Sequence, residues 1–122
     1  CGNELSDQRG TITSPRYPTN YPSDAKCSWT ITAPPNEIID IRFSKLDLDG
    51  YTDSCPDVVT VFDGAGPQAA PITRLCRYKE LAELQGLHIR STGNKIHITF
   101  TSDSYNTRQG FLATYWTHGT LQ

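Results

Sequence analysis

Cys27-Ser28-Trp29-Thr30-Ile31-Thr32 alternates without a break, with Cys27, Trp29 and Ile31 on one side and hydroxyl residues on the other. Successive side chains of an extended chain point to opposite faces, so a period of two predicts a strand with one buried and one solvated face. The pattern recurs after a Pro34-Pro35-Asn36 turn in Ile39-Asp40-Ile41-Arg42-Phe43-Ser44. It appears again in Leu87-His88-Ile89-Arg90 and Ile96-His97-Ile98-Thr99-Phe100-Thr101, on either side of a Thr92-Gly93-Asn94 turn. Gly10 to Ser14, Asp57 to Phe62, Ile72 to Arg77 and Gly110 to Trp116 are further strand candidates, separated by glycine and proline signals such as Asp63-Gly64 and Gly66-Pro67. Eight or nine short strands, spaced about 8–12 residues apart, predict an all-β chain folded as an antiparallel, jelly-roll-like β-sandwich of two sheets. The one helix-like stretch, Tyr78 to Gln85, sets Leu81 and Leu84 three apart but offers no N-cap residue. At about two turns it allows only a short helix or a turn.

The 122 residues suit one domain, read here as residues 1–116 followed by a tail at 117–122. A net charge of −2 supplies no global basic field for nucleic acid or anionic lipid. No apolar run approaches the roughly 18 residues that span a bilayer. The sequence opens at Cys1 without a leader, as a processed or excised piece does, so a missing signal peptide says nothing against secretion. Cys1, Cys27, Cys55 and Cys76 form no C-x-x-C pair, which argues against zinc and thioredoxin-like chemistry. Two disulfides and an oxidising, extracellular setting follow instead. Of the three connectivities, Cys1–Cys27 with Cys55–Cys76 is favoured because each bridge then closes a loop of about 20–25 residues, worth roughly 3 kcal/mol in the chain-entropy account.

Two other stretches carry chemistry. Ser14 to Pro22 holds three prolines and reads as an extended surface segment, with Tyr17 and Tyr21 lying on the body and their hydroxyls reaching water. Leu46 to Asp57 packs Asp47, Asp49, Asp53 and Asp57 into one inter-strand loop, and Ser102-Asp103-Ser104-Tyr105-Asn106 makes a second acidic loop. Crowded carboxylates repel one another, so either water solvates them or a cation holds them. Calcium accepts six to eight oxygen ligands. Taken alone, each stretch reads as a polar surface loop.

Cys1-Gly2, Gly10-Thr11-Ile12 with Ser14-Pro15, Tyr17-Pro18, Tyr21-Pro22 and Cys27-x-Trp29-x-Ile31 resemble the first half of a CUB domain. Asp57 through Asp63-Gly64, Ser102-Asp103-Ser104 and Gly110-Phe111 resemble the second half, in order and at matching spacing. The resemblance implies an extracellular β-sandwich with the sequential disulfides, a non-catalytic module that mediates protein–protein contact. It also implies one calcium ion held by Asp49, Asp57 and Asp103, with backbone carbonyls near Ser104 or Tyr105 as further ligands and the Ser104 hydroxyl as a weaker one. A basic side chain of a protein partner, lysine or arginine, would dock on the outward carboxylate oxygens between Tyr51 and Tyr105. Two departures stand out. Asp49 occupies a position where the family usually has Glu, which leaves Asp53 as a substitute ligand, and Arg77 stands where Gly is common.

Two further classes compete with this reading. One is a structural spacer that calcium merely stiffens. The other is a glycan- or glycosaminoglycan-binding domain, against which Arg16, Lys45, Arg74, Arg77, Lys79 and Arg90 are scattered and form no basic run. Catalysis finds no support. His88 and His97 fall on the solvent faces of their strands, His118 falls in the tail, and no nucleophile elbow or histidine-rich metal motif occurs.

Overall fold

The computed structural model describes residues 1–119. Its elements are β1 (Gly2–Leu5), β2 (Arg9–Thr13), β3 (Lys26–Thr32), β4 (Glu37–Asp47), β5 (Val58–Phe62), β6 (Pro71–Cys76), β7 (Tyr78–Lys79), α1 (Leu81–Gln85), β8 (Ile89–Arg90), β9 (Lys95–Thr101) and β10 (Gly110–Gly119). They form two sheets, one in the order β1-β3-β9-β5-β6 and the other β2-β10-β4-β7, with β8 also pairing with β4. Among the described residues the sandwich is all-β with a single short helix.

The inner faces follow the period-two pattern. In β3 the buried residues are Cys27, Trp29 and Ile31, and in β9 Ile96, Ile98 and Phe100 are wholly inaccessible. Phe111 lies at the centre of the core, with ring centroids 5.9 Å from Trp29, 5.8 Å from Phe43 and 5.5 Å from Phe100. Such edge and tilted pairs each add about 0.5–1.5 kcal/mol beyond the area they bury. Both disulfides are the sequential ones, Cys1–Cys27 and Cys55–Cys76.

Several expectations need correction. Strands begin before Gly10: β1 pairs with β3 in parallel, Gly2 opposite Ser28, so the sheets are not wholly antiparallel. Leu87–Arg90 and Ile96–Thr101 are not partners. Only Ile89–Arg90 is extended, and it pairs with β4 in one sheet while β9 pairs with β3 and β5 in the other. A single turn there carries the chain between sheets. The short helix does have a cap, because Glu80 and Glu83 close a reciprocal capping box with each other's backbone N–H. His97 lies on an outer face but is only 9% exposed, bonded to Thr30 and beside Phe62. Thr117, His118 and Gly119, expected in the tail, belong to β10, while the remainder of that tail lies outside the described residues.

His118 has a definite partner. Asp40 on β4 receives a bidentate pair of bonds from Arg90 on β8 and contacts His118 Nε2 on β10, so one carboxylate ties three strands. Burial opposes ionisation of Asp40, but the bonds from Arg90 and His118 and their charges outweigh it and hold the carboxyl below its ordinary 3.8. A lowered folded value contributes stability above the unfolded pKa, and that contribution is lost as pH falls through the folded one. Asp40→Asn is expected to cost about 1–2 kcal/mol at pH 7. In urea titrations the variant and parent midpoints should converge on acidification below about pH 4. A gap that persists undiminished in acid means that the carboxylate charge is not the source.

Candidate metal centre

Strand topology assembles the acidic rim. β5 and β9 are antiparallel neighbours with Val58 opposite Thr101, so Asp57, just before one, and Asp103, just after the other, leave the sheet at the same end. The Asp103 N–H donates to Asp57 Oδ1 at 2.9 Å. β4 of the other sheet ends close by. The Leu48 N–H bonds the Arg77 carbonyl at 3.0 Å, Leu48 packs into the core, and Asp49 follows it inward to 5% exposure.

Tyr21 joins these pieces. Its hydroxyl donates to Asp57 Oδ2 at 2.5 Å and accepts from the Asp49 N–H at 2.9 Å. Its ring meets Phe100 edge-on at 5.0 Å and is 1% exposed. The expectation that this hydroxyl reaches water is therefore wrong. The proline-rich segment plugs the end of the sandwich, held by Ser102, whose Oγ accepts from the Ala25 N–H and donates to the Pro22 carbonyl, both at 2.8 Å. Nothing in the sequence separates Tyr21-Pro22 from Tyr17-Pro18, and only packing tells which tyrosine is buried.

The electrostatics are those of a carboxylate under pressure. Asp57 is fully buried. Burial pushes its carboxyl above the ordinary value, the bonds from Tyr21 and the Asp103 N–H pull it back, and the charges of Asp103 and Asp49 push it up again. Burial and the bond to Asp57 likewise raise the Tyr21 phenol, so that hydroxyl stays a donor. Asp49 Oδ2 is buried and has no hydrogen-bond partner.

The outer parts of the rim are open. Asp103 Oδ1 accepts from the Tyr105 N–H at 3.1 Å, a local turn that leaves Tyr105 76% exposed. The Tyr105 carbonyl accepts from Ser23 Oγ at 3.2 Å, and Ser104 is exposed. Tyr51 is 57% exposed on a turn closed by mutual Tyr51 and Ser54 backbone bonds, and Asp53 is exposed on the same turn. Arg77 explains its own departure from the family pattern. It takes a left-handed φ of 64°, the conformation for which glycine is the usual choice, and its Nη1 donates to the Tyr51 and Thr52 carbonyls at 3.1 and 2.8 Å. The arginine therefore clamps the turn that glycine would leave loose. Asp47 lies apart from the rim, 3.8 Å from Arg108.

Among the described residues no three His, Cys, Asp or Glu side chains stand as a ready-made metal cluster. The donor set nonetheless fits a hard divalent cation. It is all oxygen, it brings three acids to one end of the fold, and it includes a buried carboxylate oxygen that nothing else satisfies.

A two-sheet, disulfide-tied module with an acidic rim at one end is a recognisable class. The family profile described as CUB domain matches residues 1–115, and the chain belongs to that family. It is 35% identical to human tolloid-like protein 1 over 117 residues, 96% of this chain and 11% of that protein. It is 35% identical to rat cubilin over 117 residues, again 96% of this chain but 3% of cubilin. The chain thus spans a small fraction of these relatives. Among solved structures, the MASP-1 CUB2 domain bound to Ca2+ superposes with a TM-score of 0.80 at 27% identity, covering 95% of this chain and 99% of that one. CUB domains are non-catalytic protein-interaction modules. No described helix is long and apolar enough to cross a membrane.

Proposed function

We propose that this chain is an extracellular, calcium-dependent interaction module. In this reading Asp49, Asp57 and Asp103, with carbonyl oxygens near Ser104 and Tyr105, hold one ion, and a lysine or arginine of a protein partner docks on the carboxylate oxygens left facing outward. The observation that carries it is Asp49 Oδ2, a carboxylate oxygen buried without a partner beside Asp57 and Asp103. An unsatisfied buried charge costs several kcal/mol, and a bound cation would remove that cost. Asp49 fits the ligand role better than the exposed Asp53. The two disulfides and the relation to a calcium-bound CUB domain support the setting and the ion.

Calcium would neutralise the repelling carboxylates and order both loops before a partner arrives, so that the ordering cost does not fall on binding. Tyr21 holds Asp57 and the Asp49 backbone in place, Arg77 sets the Tyr51 turn, and Tyr51 and Tyr105 wall the approach. Calorimetric titration should find one calcium per chain, with a matching rise in melting temperature. In calcium, N-acetyl-lysine methylamide should shift the amide resonances of the Tyr51 and Tyr105 turns. Identical shifts in EDTA would sink the calcium-held docking site. A calcium-raised melting temperature with no lysine response would favour a stiffened spacer instead.

A further inference from the structure

The basic residues that look scattered in sequence are not scattered on the second sheet. Its register sets Arg9, Trp116, Asp40 and Arg90 on one rung across β2, β10, β4 and β8. The next outward rung is Thr11, Thr114 and Arg42, and the one after it Thr13, Leu112 and Lys45. These residues are exposed or half-buried, whereas the alternate positions Ile12, Ala113, Tyr115, Ile41 and Phe43 fill the core. Only Asp40, already engaged by Arg90 and His118, is both outward and covered.

One solvent face of a chain with net charge −2 therefore carries Arg9, Arg42, Lys45 and Arg90 against the carboxylates of Asp40 and Asp47. Asp47, on the next outward rung opposite Gly110, is matched by Arg108. Among the described residues Arg9, Arg42 and Lys45 form no salt bridge. The aspartates Asp49, Asp57 and Asp103 sit at the rim, so the molecule is electrically divided. Trp116 forms the wall between two shallow hollows, one shared with Arg9, Thr11 and Thr114, the other with Arg42, His88 and Arg90.

We propose that this face binds a sulfated glycosaminoglycan, with Trp116 stacked on a sugar ring and Arg9 and Arg42 bonding sulfates on either side. Guanidinium is a planar fork that pairs bidentately with tetrahedral oxyanions, and it keeps its charge at any physiological pH. Two strand spacings of about 4.8 Å and one two-residue step of about 6.7 Å set Arg9 and Arg42 roughly 12 Å apart on the diagonal, with Trp116 on the middle strand beside Arg9. The hydroxyls of Thr11 and Thr114, on the rung of Arg42, suit sugar hydroxyls. An acidic polypeptide fits less well. β10, the middle strand of this face, is paired on both sides by β2 and β4, so a peptide lying across it gains no strand pairing.

The test uses heparin, with the chain in calcium and separately in EDTA. The chain should be retained on heparin–agarose at physiological ionic strength in both buffers despite its net negative charge, because the face is independent of the acidic rim. Arg9→Ser combined with Arg42→Ser should weaken heparin affinity about tenfold or more while leaving the melting temperature within a degree or two. Trp29 is buried, so a change in tryptophan emission on adding a heparin tetrasaccharide reports Trp116, and desulfated heparin should produce none. Trp116→Ala should abolish that change. Flow-through in both buffers, undiminished retention of the double variant, or equal retention on polyglutamate would each overturn the assignment, the last by showing that the face reads acidic polypeptide.

Discussion

Replacing Asp57 with alanine is expected to lower the melting temperature by roughly 10 °C and to abolish the response to calcium. The change removes both acceptors that satisfy the Tyr21 hydroxyl and the Asp103 N–H at a wholly buried position. Each donor left unpaired costs about 1–3 kcal/mol. Relief of repulsion from Asp49 and Asp103 offsets part of this, which leaves about 2–4 kcal/mol net. Because Asp57 stands between the other two acids, its loss also removes the central carboxylate of the proposed ligand set. Thermal unfolding with and without calcium separates the contributions. If the variant keeps the parent's calcium-induced rise, the ion is not held here, even if the melting temperature in EDTA falls as expected.

Tyr21→Phe makes the narrower change. The ring keeps its edge contact with Phe100 while the Asp49 N–H loses its acceptor and Asp57 its closest donor. A loss of about 1–3 kcal/mol is expected from the orphaned groups. Calcium affinity should fall roughly tenfold, the usual consequence of removing a group that orients metal ligands. Tyr17→Phe serves as the control. Tyr17 also precedes a proline, but its hydroxyl makes no hydrogen bond with a described residue, so that variant should stay within about 0.5 kcal/mol of the parent. Equal effects at both tyrosines would mean that Tyr21 acts by packing alone.

Much of this is legible in the sequence. Alternation in Cys27–Thr32 and Ile96–Thr101 named the buried faces, because a strand repeats every two residues whatever it packs against. The acids of the two loops were visible as neighbours in sequence, and the CUB-like order of motifs marked Asp57 and Asp103 as partners. Other features needed the fold. The parallel pairing of β1 follows from where Cys1 is tied, and the split of β8 from β9 into different sheets leaves no trace in a turn that looks like a hairpin. The capping box of α1 is present as Glu80-x-x-Glu83, but Glu is not among the residues that favour an N-cap, so the pattern gives no helix start in sequence.

Sequence by itself determined a disulfide-tied β-sandwich, its inward residues and the acids at its rim, because strand period, cysteine count and local charge are properties of neighbours along the chain. Tertiary structure alone decided that Tyr21 rather than Tyr17 is the buried hinge of the acidic rim. It also decided that Arg9, Arg42, Lys45 and Arg90 share one face. Loop packing against Phe100, Asp57 and Asp49 sets the first, and cross-strand register the second, joining residues as far apart as Arg9 and Trp116 through hydrogen bonds that no local pattern encodes.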